Sequence, residues 1–101
     1  MDYFEILILS TAHSDIAEHV GFVLNVSKEA AIKLKDNLYS SIESLTTFPE
    51  RNPIFEMPKT FPFTIRKQVV NQRYIVLYYI ENDRVIVVRV LDTRRGFTVL
   101  L

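Results

Sequence analysis

The 101-residue sequence has no cysteine, two glycines, four prolines, two histidines and no long apolar run. Without cysteine there can be no disulfide and no thiolate zinc site, a composition that fits a reducing compartment such as the cytoplasm. With glycine only at 21 and 96, there is no Gly-rich loop of the kind that cradles phosphates. No apolar stretch approaches the roughly eighteen residues of a membrane span, so no membrane association is expected. The segment MDYFEILILS is apolar but carries Asp2 and Glu5 and lacks a basic leader, so it reads as a strand and not a signal peptide. His13 and His19 are six apart, on different faces of a helix, and neither has a carboxylate at i+4. Both read as surface residues, and neither a metal nor a cofactor is expected.

What is present is hydrophobic and compact. Apolar residues make up 49% of the chain, enough for one core, and a single domain over residues 1–101 is expected. Net charge is zero but unevenly spread. Residues 1–50 hold three lysines against eight acids, net −5, and residues 51–101 hold nine Lys or Arg against four acids, net +5. Such a division gives either one surface that attracts anions and another that repels them, or two halves that pair with each other.

Taken in order, residues 3–9 predict a strand. Ser10 or Thr11 can cap the helix that follows, with Asp15 in its first turn. Ile16, Val20, Val23 and Leu24 form its apolar stripe, ending near Asn25, and Gly21 within it suggests a close packing contact. Ser27 caps a second helix over 28–47, with Ala31, Leu34, Leu38, Ile42 and Leu45 as its stripe and Pro49 as its stop. Only a short link separates the helices, so they fold back as a hairpin. Residues 49–62 hold all four prolines and predict an irregular connector anchored by Ile54, Phe55, Met57 and Phe61, one that could line a groove.

Residues 63–70 predict a strand turned by Asn71-Gln72. Residues 73–81 and 84–92 then form a long β-hairpin around Asn82-Asp83, a pair suited to the positive-φ positions of a tight turn. Strict alternation puts Tyr74, Val76, Tyr78 and Ile80 on one face of the first arm. On the second arm it groups Ile86, Val88 and Val90 against Val85, Val87, Arg89 and Leu91. The order β-α-α-β-β-β predicts an α+β domain, with the N-terminal strand and the helical hairpin packed on a small curved antiparallel sheet.

These pieces together resemble the RelE/ParE family of bacterial toxins over residues 4–95. The resemblance rests on the first helix opening at 12–16, the second ending SIESLTTFPE, then IRKQVV, RYIVLYYI, RVIVVRVLDTRR. Its most specific parts are Pro49, Arg66, the spacing of Tyr74, Val76 and Tyr78, and Arg94-Arg95. The resemblance implies the toxin of a type II toxin–antitoxin pair, neutralised by a cognate antitoxin. RelE-like members cut messenger RNA on the ribosome, and ParE-like members poison DNA gyrase. A homodimer or a toxin–antitoxin hetero-oligomer is compatible with either.

Metal-free RNA cleavage needs a base, a leaving-group acid and cations for the phosphorane charge. Arg66, Lys67, Arg73, Arg94 and Arg95 can supply cations, and are expected to converge on one side of the sheet. Under a ribonuclease reading Arg66, Lys67 and Arg94 are the catalytic candidates; under a docking reading Arg66, Arg73, Arg94 and Arg95 bind the target. RelE-like ribonucleases often place Tyr or His just after the last strand. Here Asp92 stands where many members have histidine, and the residues after it bring only Phe97, which cannot donate a proton. Glu50 reads as a solvated residue beside a helix end, and Tyr79 as a packing residue with base stacking as the functional alternative. A neutral chain also argues against an RNA-binding mode, because phosphate contacts favour strongly basic proteins. The leading expectation is therefore a ParE-like toxin that docks on a protein such as gyrase. The alternatives are a RelE-like ribosome-dependent endoribonuclease and a decayed toxin that retains only antitoxin binding.

Overall fold

The computed structural model describes residues 3–57 and 61–95. Strand β1 (Glu5–Ile8) leads into helices α1 (Ser10–Leu24) and α2 (Lys28–Glu43), followed by strands β2 (Arg66–Val70), β3 (Tyr74–Glu81) and β4 (Arg84–Asp92). The expected order and α+β architecture are present. The sheet order is β1-β4-β3-β2, with β2, β3 and β4 antiparallel and β1 parallel to β4. The first strand thus joins the sheet as its one parallel edge. The long connection that a parallel pair requires is supplied by the intervening helices and two further strands.

One face of the sheet is covered by the helical hairpin. Ala12 and Ile16 of α1 and Leu34, Leu38 and Ile42 of α2 are buried against Val70, Tyr74, Val76, Tyr78, Val85, Val87 and Val90. Ser27 caps α2 as expected, accepting the Ala30 amide at 3.1 Å. The second face holds Leu77, Ile86, Val88 and Leu91, with Ile75 and Tyr79 half-buried among them. Phe55, Met57 and Phe61 of the connector lie over this face, together with Ile65, which precedes β2. The connector does line an open groove, of about 240 Å³, in which Ile54, Phe55, Met57 and Phe61 face Phe63 and Ile65. Contrary to expectation it also contains regular structure: a 3-10 turn at Pro49–Arg51 and a bridge from Ile54 to Arg66. That bridge pairs Ile54 with the first residue of β2, which begins at Arg66 and not at 63.

Strict alternation fails in β4. Leu77 pairs with Arg89 but Tyr78 pairs with Val87, so Val88 is an extra residue and the strand carries a β-bulge. Beyond it the faces exchange: Val90 joins Val85 and Val87 under the helices, and Leu91 joins Ile86 and Val88. The turns are likewise more specific than the sequence suggested. Asn71 and Gln72 both take positive φ, whereas at the hairpin tip only Asn82 does.

α1 departs most from expectation. Its N-cap is Leu9, and no side chain caps it. The Thr11 hydroxyl donates instead to the Val88 carbonyl (2.8 Å), and Asp15, a turn further on, accepts the Val90 amide (2.9 Å). His19, read from the sequence as a surface residue, is buried and its Nε2–H donates to the Val90 carbonyl (2.8 Å). β1 ends at the level of Val87, so the edge of β4 beyond it has no neighbouring strand. Thr11, Asp15 and His19, spaced four apart on one helical face, bond that edge in the strand's place. Asp15 also holds Arg89 through two bonds of 2.7 and 3.0 Å.

Gly21 makes no close contact: a Cβ placed there meets nothing within 4 Å. With no packing reason for glycine in an exposed helical turn, Gly21→Ala is expected to stabilise the fold by about 1 kcal/mol. Thermal denaturation checks this, and an unchanged or lowered melting temperature counts against it.

Candidate functional site

The sequence pointed to cations at the sheet end, and the structure divides them between two places. Arg66 opens β2 opposite Tyr78, while Arg73 precedes Tyr74, which is opposite Asp92. Four residue steps along β3, from Tyr74 to Tyr78, separate these levels, roughly 13 Å along the strand. The five cations therefore do not meet at one point.

At the Arg73 end, charge is compensated within the fold. Arg73 donates to both oxygens of Asp92 at 2.9 Å through Nε and Nη2, and its guanidinium lies 5.3 Å from the Tyr74 ring centroid. The Arg94 amide adds a third bond to Asp92 (3.0 Å). Hydrogen bonding from Arg73 above all, against the opposing effect of burial, holds the Asp92 carboxyl below the usual aspartate range. Asp92 is thus a buried anchor for the turn and the strand end. Thr93 completes the anchor by donating its hydroxyl and amide to the Arg73 carbonyl (2.7 and 2.9 Å). Arg95 reaches α1, where it donates to Glu18 (3.1 Å) and lies over Phe22, 4.7 Å from the ring centroid. Arg89–Asp15 and Arg95–Glu18 join the acidic and basic halves of the chain, so part of the charge division is resolved internally. Arg94 is exposed, and its side chain has no partner among the described residues.

Two proton-bearing groups that the linear reading could not place also lie here. His19 packs against Tyr74 with centroids 5.2 Å apart. Both are buried, and burial pushes the Tyr74 hydroxyl up from its ordinary value. The His19 Nε2–H is engaged by Val90, and neither group faces solvent beside a free arginine. Phe97 lies outside the described residues.

At the other place, Arg66 acts on the backbone. Its Nη1 donates to the carbonyls of Glu50 (3.2 Å) and Asn52 (2.7 Å). The Tyr78 hydroxyl, fully buried and also pushed up by burial, donates to the Pro49 carbonyl (2.7 Å) and accepts from Asn52 (3.0 Å). Arg51, which no sequence pattern singled out, donates from Nη1 to the carbonyls of Ser44, Thr47 and Phe48. Arg51, Arg66 and Tyr78 together clamp the chain from the end of α2 to Asn52. Lys67 is half-exposed and its amine has no partner among the described residues. Glu50 is exposed, as expected, and the Tyr79 ring stacks on Phe63 at 4.1 Å, so one of its faces is already covered. No group of three or more His, Asp or Glu suited to a metal ion occurs among the described residues. Nor is any described helix long and apolar enough to cross a membrane.

Comparison with known proteins accords with this architecture. The family model of the ParE toxin of type II toxin–antitoxin system, parDE, matches residues 6–97, and the chain belongs to that family. No curated protein matches it in sequence. Among solved structures, a chain of the chromosomal ParDE TA system from P. aeruginosa superimposes with a TM-score of 0.70 at 12% identity. That match covers 89% of this chain and 96% of the other. The conserved hypothetical protein HP0894 from Helicobacter pylori matches with a TM-score of 0.56 at 13% identity, covering 93% and 99% respectively. At these identities the structural likeness is one of fold.

Proposed function

We propose that this ParE-family toxin arrests growth by docking on a protein target, DNA gyrase, and that a cognate antitoxin neutralises it. The observation that carries the reading is the state of the basic sheet end. Arg73 is committed to Asp92, Arg95 to Glu18 and Arg66 to backbone carbonyls, while the nearby imidazole and phenol are buried. Phosphorane stabilisation needs preorganised cations whose donors are not already taken by other acceptors, with an acid and a base within reach of substrate. A surface of fixed, compensated charges and exposed apolar groups suits recognition of a folded protein. Arg94, with Arg66, Arg73 and Arg95 around the two clamped regions, supplies the target-binding cations in this reading.

The antitoxin is expected to contribute an amphipathic helix and acidic residues, lying on the helical hairpin, on an edge of the sheet at β1 or β2, or on both. The test is expression of the toxin alone in a sensitive host. Filamentation, DNA damage and co-purifying gyrase are the expected results. Truncated messages that disappear with Arg94→Ala or Lys67→Ala would instead establish a ribonuclease using the two cations without partners. A folded product with no growth defect would mean that only antitoxin binding has been retained.

A further inference from the structure

Of the arginines committed within the fold, Arg95 is held most weakly. Arg73 donates to both oxygens of a buried carboxylate, and Arg66 is bound to two backbone carbonyls. The Arg95 side chain makes one hydrogen bond, from Nη2 to Glu18 Oε2 at 3.1 Å, and the Glu18 side chain is 65% exposed. An ion pair so open to water contributes little. The guanidinium lies 4.7 Å from the Phe22 ring centroid, which adds a modest cation–π attraction. Against these gains stands a cost. Arg95 Nη1 is buried and has no acceptor among the described residues. A buried donor on a charged group without a partner loses its hydration and gains no bond, which offsets attractions of this size. The docked side chain is therefore close in free energy to one that has swung into water.

The backbone beneath it is fixed. The Arg95 amide donates to the Asp92 carbonyl at 3.2 Å and the Arg94 amide to the Asp92 carboxylate at 3.0 Å. Only the side chain has to move, and it is already 36% exposed, so no core packing is broken when it leaves. Docked, Arg95 is turned onto α1 and Glu18 offsets its charge. Released, it stands next to Arg94, which is exposed and has no side-chain partner among the described residues. The turn then presents two uncompensated cations in place of one.

We propose that Glu18 and Phe22 form an autoinhibitory clasp on Arg95, and that the protein target is engaged by the released side chain. The proposal rests on the docking reading above and adds a device that sets its strength. With docked and released states of similar free energy, apparent affinity is scaled by the fraction of molecules in which Arg95 is free. Opening the clasp raises it by the inverse of that fraction.

Glu18→Gln opens the clasp without touching a target-binding cation. Affinity for purified DNA gyrase is measured for the parent, Glu18→Gln, Arg95→Ala and the double variant, alongside melting temperatures. Glu18→Gln is expected to bind about three- to fivefold more tightly than the parent, with a melting temperature little changed. Arg95→Ala is expected to bind more weakly, and in that background Glu18→Gln adds nothing. Equal or weaker binding by Glu18→Gln overturns the clasp and leaves the docking reading intact. A tightening that persists in the Arg95→Ala background belongs to the Glu18 charge itself and also overturns the clasp. Failure of the parent chain to bind gyrase removes the docking reading, and the clasp with it.

Discussion

Asp15→Ala is expected to destabilise the fold by about 3 kcal/mol, among the largest effects of any single substitution in this chain. The carboxylate serves three donors at once: Arg89 Nε and Nη2, and the Val90 amide. Deleting it leaves an amide at the bulged edge of β4 with no acceptor, a cost of about 1–3 kcal/mol. It also strands the Arg89 guanidinium, whose side chain is 25% exposed and so partly recoverable by water. Asp15→Asn, which can still accept from Val90 but carries no charge, is expected to lose less. Urea denaturation measures both. A loss below about 1 kcal/mol for the alanine variant would mean that the β4 edge is satisfied some other way. Against a total of about 5–15 kcal/mol for a domain of this size, the predicted loss is enough to reduce abundance in a cell.

The role of Asp15 also marks where sequence reading reaches its range. Both helices, their hairpin, the Ser27 cap and the β3–β4 hairpin follow from local periodicity and turn chemistry, and all are present. Those signals depend on residues three or four apart, or on adjacent turn positions. Asp15 and Thr11 were read as local helix-start residues because local capping is their commonest use. Their actual partners on β4 are more than seventy residues away, and no short-range pattern encodes them. A trace was nevertheless present. Thr11, Asp15 and His19 make a polar line at i, i+4 and i+8 beside the buried Ala12 and Ile16, an arrangement that calls for buried hydrogen-bond partners. The β4 bulge had no comparable trace, since Val85 to Val88 is apolar on both faces and alternation there is uninformative.

The candidate site was legible in part. The arginines were identified by type and position, but their commitments were not, because whether an arginine is free depends on what the fold brings to it. Arg73 and Asp92 are 19 residues apart and meet only once β3 and β4 pair. Arg51 and Phe48 were passed over for the opposite reason. They lie at the start of a proline-rich segment where pattern arguments predict only irregularity, although the carbonyls of Thr47, Phe48, Pro49, Glu50, Asn52 and Pro53 are all bonded. Irregular in dihedral angle is not the same as loose.

The second large effect is expected at that Arg73–Asp92 pair, and its size depends on pH. The Asp92 side chain is 3% exposed, while that of Arg73 is 24% exposed. Removing the arginine therefore leaves a buried carboxylate uncompensated, and Arg73→Met is expected to destabilise by about 2–4 kcal/mol near neutrality. In the parent, Asp92 titrates lower in the folded than in the unfolded chain. Its contribution is thus present above the unfolded aspartate value of about 3.9 and is lost as pH falls through the folded value. Arg73→Met removes the largest cause of that lowering while burial continues to oppose ionisation, so the Asp92 pKa rises. The stability difference between parent and variant should then shrink as the pH is lowered and be smallest where Asp92 is protonated in both. Denaturation midpoints for the two proteins between neutral and acid pH measure this. A difference that stays constant across the range would assign the loss to the Arg73 guanidinium over the Tyr74 ring, and not to the buried Asp92 charge.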